Sequence, residues 1–372
     1  MAQLNTPYFL VDEGLLKKNL ELLRQVQQEA GCKILLAQKA FSMFACYPLI
    51  SRYLAGTTAS GLYEARLGRE EFPGEVHVFS PAYREEEFQS LLGLADHFVF
   101  NSPSQLHKYA QRAKKAGKQV GLRVNPECST QEGHAIYDPC APGSRLGTTL
   151  ANFDESLLPL LDGLHFHTLC EQNSDDLETT ANAFEEKFGQ YLPRMKWLNL
   201  GGGHHITRRD YDIPRLVRVV KYFRERYGVE VYLEPGEAVV LNAGFLVSTV
   251  LEVVHNGMDI AILDTSAACH MPDVLEMPYR PPVKDSGKAG EKPYTYRLAG
   301  PTCLADVIGD YSFDEPLKEG SQIVLEDMAL YTMVKTNTFN GMPLPALALR
   351  HEDGTVDVVK EFGYEDFKSR LS

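Results

Sequence analysis

Apolar and polar positions follow two different rhythms along the 372 residues. In the first, short apolar and β-branched runs recur at 33–38 (KILLAQ), 57–60 (TTAS), 75–80 (EVHVFS), 97–102 (HFVFNS), 119–125 (QVGLRVN), 163–169 (GLHFHTL), 197–201 (WLNLG) and 230–234 (EVYLE). Runs of this kind suit strands covered on both faces. Amphipathic segments of helical length separate most of them, at 62–70, 84–94, 103–116, 174–190 and 214–227. Ser102-Pro103 reads as a helix cap and first turn. Ahead of this series, TPYFLV (6–11) predicts a strand and Asp12 a helix cap. Leu16, Leu20, Leu23 and Val26 or Gln27 lie near one face of the following helix, which Gly31 ends. Eight strands alternating with helices predict a (β/α)8 barrel. Between the fifth and sixth strands, Pro126 to Leu150 is polar and carries prolines and glycines. It reads as an active-site loop.

After Gly236 the helical period disappears until the last residues. Short strands are predicted near 238–254, 258–264, 294–299, 321–326, 329–338, 344–349 and 355–360, with turns at Asn256-Gly257, Asn340-Gly341 and Asp353-Gly354. Tyr279 to Pro293 reads as an exposed loop, and Gly363 to Leu371 as a terminal helix. The expected architecture is α/β: a TIM-like barrel over 12–236 and a C-terminal all-β domain over 237–372, which strand 6–11 is a candidate to join.

Composition narrows the function classes. Hydrophobic residues make up 44% and charged residues 23% of the chain, which is ordinary for a globular protein. A net charge of -13 disfavours non-specific binding to nucleic acid or an anionic membrane and suits a cationic small substrate. The start, MAQLNTPYFLVDEG, lacks a basic segment followed by an apolar one. The most apolar long stretch, Ala238 to Val254, is interrupted by Asn242, Ser248, Thr249 and Glu252, so no membrane span is expected. Seven scattered cysteines without a CxxC pair fit a reducing cytoplasm, not a disulfide framework or a zinc site, and no metal is expected.

Several ends of the expected barrel strands carry polar residues. Lys39 stands two residues past an apolar run. A lysine there is either solvated at the rim, its stem lying along the apolar surface, or doing chemistry. His165 and His167 share one side of the sixth strand's end. The run Gly201-Gly202-Gly203 after the seventh is either a tight turn or a place where backbone N–H groups meet an anion. It is followed by His204 and His205. Glu234, in EPG, ends the eighth strand. In a barrel of this kind all these termini converge on one mouth. An amine, a flat ring, an anion cradle and a carboxylate would then share one site. In the second domain, Cys303 in GPTC alone reads as a buried small side chain, and Tyr331 and Phe339 as core aromatics.

Taken together, Lys39, FHT around His167, GGG at 201, EPG at 234, GPTC at 300, and MALYT with TFNG at 328–341 resemble the fold-type III pyridoxal-phosphate decarboxylases. That family includes ornithine, arginine and diaminopimelate decarboxylases. The motifs keep family order and span nearly the whole chain. LAQKAF, TTASGLYEARLG, LNLGGGHHI, LEPGEAVV and DTSAACHMPDVLEMPYRP are most similar to the short polyamine-pathway branch, which acts on carboxynorspermidine and carboxyspermidine.

The resemblance implies an alanine racemase/ornithine decarboxylase-like fold, pyridoxal 5'-phosphate as cofactor, a small cationic amino-acid substrate and a homodimer with shared active sites. It implies that Lys39 condenses with the cofactor aldehyde and that His167 stacks on the ring. Gly201, Gly202, Gly203, Gly236 and Tyr331 would hold the phosphate, and Glu234 the ring nitrogen. Cys303, from the second subunit, would return a proton to the substrate, with Phe339 lining the same pocket. Asp273 falls where the family holds its substrate's distal amine.

Three positions depart from the larger family. Glu237 replaces an arginine that binds phosphate, which makes it a candidate for a substrate amine. Leu304 follows Cys303 where an acid is common, and the next acid is Asp306. Thr58 stands where an aspartate is frequent. The expected activity is decarboxylation of a carboxylated triamine. The alternatives are decarboxylation of diaminopimelate or another basic amino acid, and an inactive regulatory homologue.

Overall fold

The structure, a computed structural model, describes residues 4–132, 135–304 and 306–372. The chain divides into two compact units, residues 17–239 and residues 4–16 with 240–372.

The first unit is a closed parallel barrel of eight strands. Its strands are Lys33–Ala37, Gly56–Ala59, Glu75–Phe79, His97–Phe100, Gln119–Arg123, Gly163–His165, Trp197–Asn199 and Glu230–Leu233, and the last pairs with the first. Helices Leu62–Glu71, Glu85–Leu91, Pro103–Lys115, Ser174–Phe188 and Ile213–Tyr227 fall where the amphipathic segments predict them. Ser102 caps the third of these, its Oγ accepting from Gln105 N at 3.3 Å. The barrel interior is filled, not open. Leu35, Val99, Trp197 and Tyr232 form one buried layer. The Trp197 ring fits because its neighbours are glycines: a Cβ on Gly163 would fall 2.0 Å from the indole, and one on Gly121 would fall 2.2 Å from it. Such large-against-small pairing is how barrel layers close.

The second unit is one mixed sheet of nine strands. Its long central strand, Gly244–His255, is flanked by Tyr8–Asp12, Asp259–Leu263 and Gln322–Glu326, all antiparallel to it. Tyr8–Asp12 also pairs in parallel with Ala346–Arg350. Phe9, Leu246, Val250, Leu263, Leu298, Tyr311 and Leu325 belong to its core. At the end of the first strand Asp12 caps the next helix, accepting from Leu15 N at 2.8 Å.

The all-β expectation is corrected in detail. Helical turns occupy Glu237–Val240, Ala267–His270 and Asp273–Glu276. The strand expected at 329–338 is absent, and Met333–Lys335 forms a 3-10 turn instead. Tyr331 has a positive φ of 50°, which no strand accommodates. A strand not anticipated from sequence, Val307–Phe313, pairs with Tyr294–Ala299. The apolar rhythm hides it, because Gly309 and Asp310 break the alternation. The structure supplies a reason for Asp310: its two carboxylate oxygens accept from Arg297 Nε at 2.8 Å and Nη2 at 3.0 Å, on the neighbouring strand.

Candidate active site

The carboxyl ends of the barrel strands enclose a cavity of about 240 Å³ lined by Lys39, Thr58, Phe79, Arg123, His165, His167 and Glu234, among others. Parallel strands running in one direction deliver these side chains to one mouth. Arg145 and Leu146, from the polar insertion after the fifth strand, also line it. Asn101 pins that part of the insertion: its Nδ2 donates to Arg145 O at 2.9 Å, and Gly147 N donates to its Oδ1 at 2.7 Å.

Lys39 sits in the turn just past Ala37. Its surface faces the cavity, yet enough protein surrounds its amine that lost hydration lowers its pKa, against the opposing pull of Glu234. An amine with a lowered pKa more readily gives up its proton and acts as a nucleophile.

Glu234 is buried, follows the last barrel strand, and is the best-held carboxylate of the mouth. Burial alone would raise its pKa, but His165 and Asn199 outweigh that and bring it down to about 2. Asn199 Nδ2 donates to Glu234 Oε1 at 2.7 Å. His165 Nε2 lies 3.6 Å from Glu234 Oε2, near enough to act on the carboxylate electrostatically though beyond hydrogen-bond distance, and among the described residues neither His165 ring nitrogen has a hydrogen-bond partner. Burial lowers the His165 pKa. His167 is driven well below its ordinary value by burial, then by Lys39 and Arg123. It is a neutral ring whose Nδ1 accepts from Gly202 N at 3.2 Å.

The glycine run packs too closely against neighbouring loops and strands to carry side chains. Gly201 and Gly203 have φ of 72° and 81°, in the left-handed region. A Cβ on Gly202 would come within 2.5 Å of Glu234 O, and one on Gly236 within 2.5 Å of Ala40 Cβ. An amine in a cavity, a neutral ring, a fixed carboxylate and a loop of backbone N–H groups without side chains suit pyridoxal phosphate. The unpartnered nitrogens of His165 leave polar capacity for a ligand.

The structure brings Lys39, His167, Glu234, Gly201, Gly202, Gly203 and Gly236 to the same end of the barrel. Glu237 does not line the cavity. Its Oε2 lies 3.3 Å from His205 Nε2, so this carboxylate already has a partner. In the sheet unit, Asp273 is bound by Lys335, which also lies 2.9 Å from Glu276 Oε2. Cys303 and Phe339 are exposed, which corrects their reading as core side chains when taken alone. Tyr331 is half-buried in the sheet unit.

Two members of the mouth escape the sequence reading. Asn199 joins the glycine loop to Glu234, and its signal was a polar residue inside a strand buried on both faces. Arg123 ends the fifth strand as Lys39 follows the first. Burial pulls its pKa down to about 10, and its guanidinium lies 4.7 Å from the Phe79 ring centre.

Groups with metal-ligand chemistry occur at both ends of the barrel. At the end opposite the mouth, Glu75, His77 and His97 lie close together. The two imidazoles stack at 3.9 Å with a 12° interplanar angle. Their lone pairs therefore run side by side and do not converge on a point about 2 Å from each nitrogen, as an ion requires. Lys33, 2.6 Å from Glu75, already supplies the positive charge there. His165, His167 and Glu234 form the other group, and they belong to the mouth.

A family model described as "Pyridoxal-dependent decarboxylase, C-terminal sheet domain" matches residues 10–329. The chain is 42% identical to a carboxynorspermidine/carboxyspermidine decarboxylase of Campylobacter jejuni, covering 99% of both chains. It is also 42% identical to a carboxyaminopropylagmatine decarboxylase of Synechocystis, covering 100% of this chain and 96% of that one. The crystal structure of carboxynorspermidine decarboxylase from Campylobacter jejuni, complexed with norspermidine, superposes with a TM-score of 0.93 at 42% identity, covering 99% of this chain and all of that one.

Proposed function

The chain belongs to the pyridoxal-dependent decarboxylases, and from that premise we propose that it removes the α-carboxylate of carboxynorspermidine or carboxyspermidine in polyamine biosynthesis. The observation that carries this reading is full-length identity of 42% to the Campylobacter enzyme, in a chain whose lysine, neutral histidine and carboxylate line one cavity at the barrel mouth. Decarboxylation of diaminopimelate and a role as an inactive regulator are not favoured.

When bound, pyridoxal phosphate supplies an electron sink for the pair left at the α-carbon as carbon dioxide departs. Lys39 would anchor its aldehyde carbon and His167 would lie against its ring. Gly201, Gly202, Gly203, Gly236 and Tyr331 would hold the phosphate. Glu234, held ionised by Asn199 and His165, would keep a proton on the ring nitrogen. Arg123 balances negative charge in the cavity. Cys303 of a second subunit would return a proton to the α-carbon, and Phe339 would exclude water beside it. Exposed Leu304 and Phe339 on those loops support a homodimer that covers them. Asp273, and Glu237 if it leaves His205, would receive the ammonium groups of the substrate. A cytoplasmic location completes the reading. Among the described residues no disulfide joins the seven cysteines, and no helix is long and apolar enough to cross a membrane.

The test is carbon dioxide release from purified protein with cofactor. The substrates are carboxynorspermidine, carboxyspermidine, carboxyaminopropylagmatine, ornithine and diaminopimelate, with the amine products identified. The proposal expects the highest kcat/KM on one of the first two. Preference for the guanidino compound would give the chain the Synechocystis enzyme's activity instead.

A further inference from the structure

The motif DTSAACH (264–270) has no role in the site as described. In the sheet unit it forms a capped helical turn, Ala267–His270, to which both exposed loops of that unit are tied. The GPTC loop attaches through Asp306, which is only 3% exposed. Its Oδ2 accepts from Ser266 Oγ, and from Thr302 Oγ1 at 3.0 Å, and its Oδ1 accepts from Ala268 N at 3.2 Å. Gly300 makes room for this carboxyl group, since a Cβ there would fall 2.5 Å from Oδ2. The TFNG loop attaches through Asn337, whose N and Nδ2 donate to Cys269 O at 3.0 Å and Ala268 O at 2.9 Å. His270, fully buried, spans Thr265 Oγ1 at 2.8 Å and Pro343 O at 3.0 Å. The two loops then meet, because Cys303 N donates to Asn340 Oδ1 at 3.3 Å.

We infer that Asp306, through Thr302 and Ser266, is a positioning residue that sets the height and direction of the Cys303 backbone. The inference rests on the reading of Cys303 as proton donor. The Thr302 hydroxyl is the connecting atom: it donates to Asp306 and accepts from Leu304 N at 3.4 Å, so it brackets Cys303 on both sides. The acid three places beyond the cysteine is thereby explained without a relay. Among the described residues the partners of its carboxyl are Ser266, Ala268 and Thr302, in the turn and the loop, and not the thiol. Proton delivery is steep in distance and angle, so a loop freed by a few tenths of an ångström loses rate more than binding.

The test uses the full-length holoenzyme with Thr302→Val, which keeps shape but loses the hydroxyl, and Thr302→Ser, which restores it. Cys303→Ala is measured beside them. Thr302→Val should lower kcat about tenfold at unchanged KM and unchanged Tm, as loss of one orienting hydrogen bond predicts. It should also speed amide exchange in 302–304, and Thr302→Ser should behave as wild type in both. Wild-type kcat in Thr302→Val beside a crippled Cys303→Ala overturns the inference alone, as does equal impairment of Val and Ser. Wild-type turnover in Cys303→Ala overturns the underlying reading and the inference with it.

Discussion

Asn199 and Glu234 are joined at 2.7 Å at the barrel mouth, and the same asparagine accepts from Gly201 N at 2.8 Å. One side chain thus fixes the carboxylate proposed for the cofactor ring and the first glycine of the cradle proposed for its phosphate. Asn199→Ala should weaken cofactor binding about 10- to 100-fold, the usual loss for a hydrogen bond to a buried charged group. Titration of apoprotein with pyridoxal phosphate, followed by visible absorbance, checks this. Affinity within about twofold of wild type would separate the two functions.

Glu234 also predicts an acid limb of stability. Its pKa is about 2 in the folded chain against 4.5 ordinarily, so its contribution is complete above about pH 4.5 and is lost as pH falls toward 2. Glu234→Gln removes that contribution. The Tm gap between wild type and variant, measured as apoproteins, should therefore shrink on acidification from about pH 6 to about pH 3. A constant gap would mean that the carboxylate is not held by its neighbours.

The barrel was legible in sequence because strands buried on both faces read as apolar runs, with Lys39 just past one such run and His167 and Glu234 near the ends of two others. Asn199 was not legible: a single polar residue in WLNLG resembles the frayed end of a strand. The 329–338 segment was misread for a different reason. Its aromatic and β-branched content suits a strand, but the segment is held as turns by side chains, with Thr332 bound to Met328 O and Asn337 bound to the DTSAACH turn. Local composition carries no trace of those partners. The pairs Glu237–His205 and Asp273–Lys335 bring together residues far apart in the chain, and no spacing rule reports them.

The Asp273–Lys335 pair tempers what Asp273 can contribute. A substrate ammonium bound there, as proposed, would share that carboxylate with Lys335, so Asp273→Asn should raise KM for the carboxylated triamine about 10- to 30-fold, near the lower end for a buried charge pair, with cofactor absorbance unchanged. Steady-state kinetics on the purified variant gives the answer. An unchanged KM would place the distal amine elsewhere.

The proposed shared-site dimer makes a quantitative prediction. Lys39→Ala and Cys303→Ala subunits, each nearly inactive alone, should recover up to about a quarter of wild-type activity after mixing. Random exchange gives half mixed dimers, each with one intact site. No recovery after exchange has been demonstrated, for instance by mass-tagged subunits, would assign Cys303 to its own subunit or to no site.

Lys39 is the residue around which the proposed site is organised. Borohydride reduction of the holoenzyme, proteolysis and mass spectrometry locate the lysine that carries the cofactor. A pyridoxyl adduct is expected on the peptide containing Lys39, with loss of both adduct and visible absorbance in Lys39→Ala. An adduct on any other lysine, or an absorbance that survives in Lys39→Ala, would contradict it.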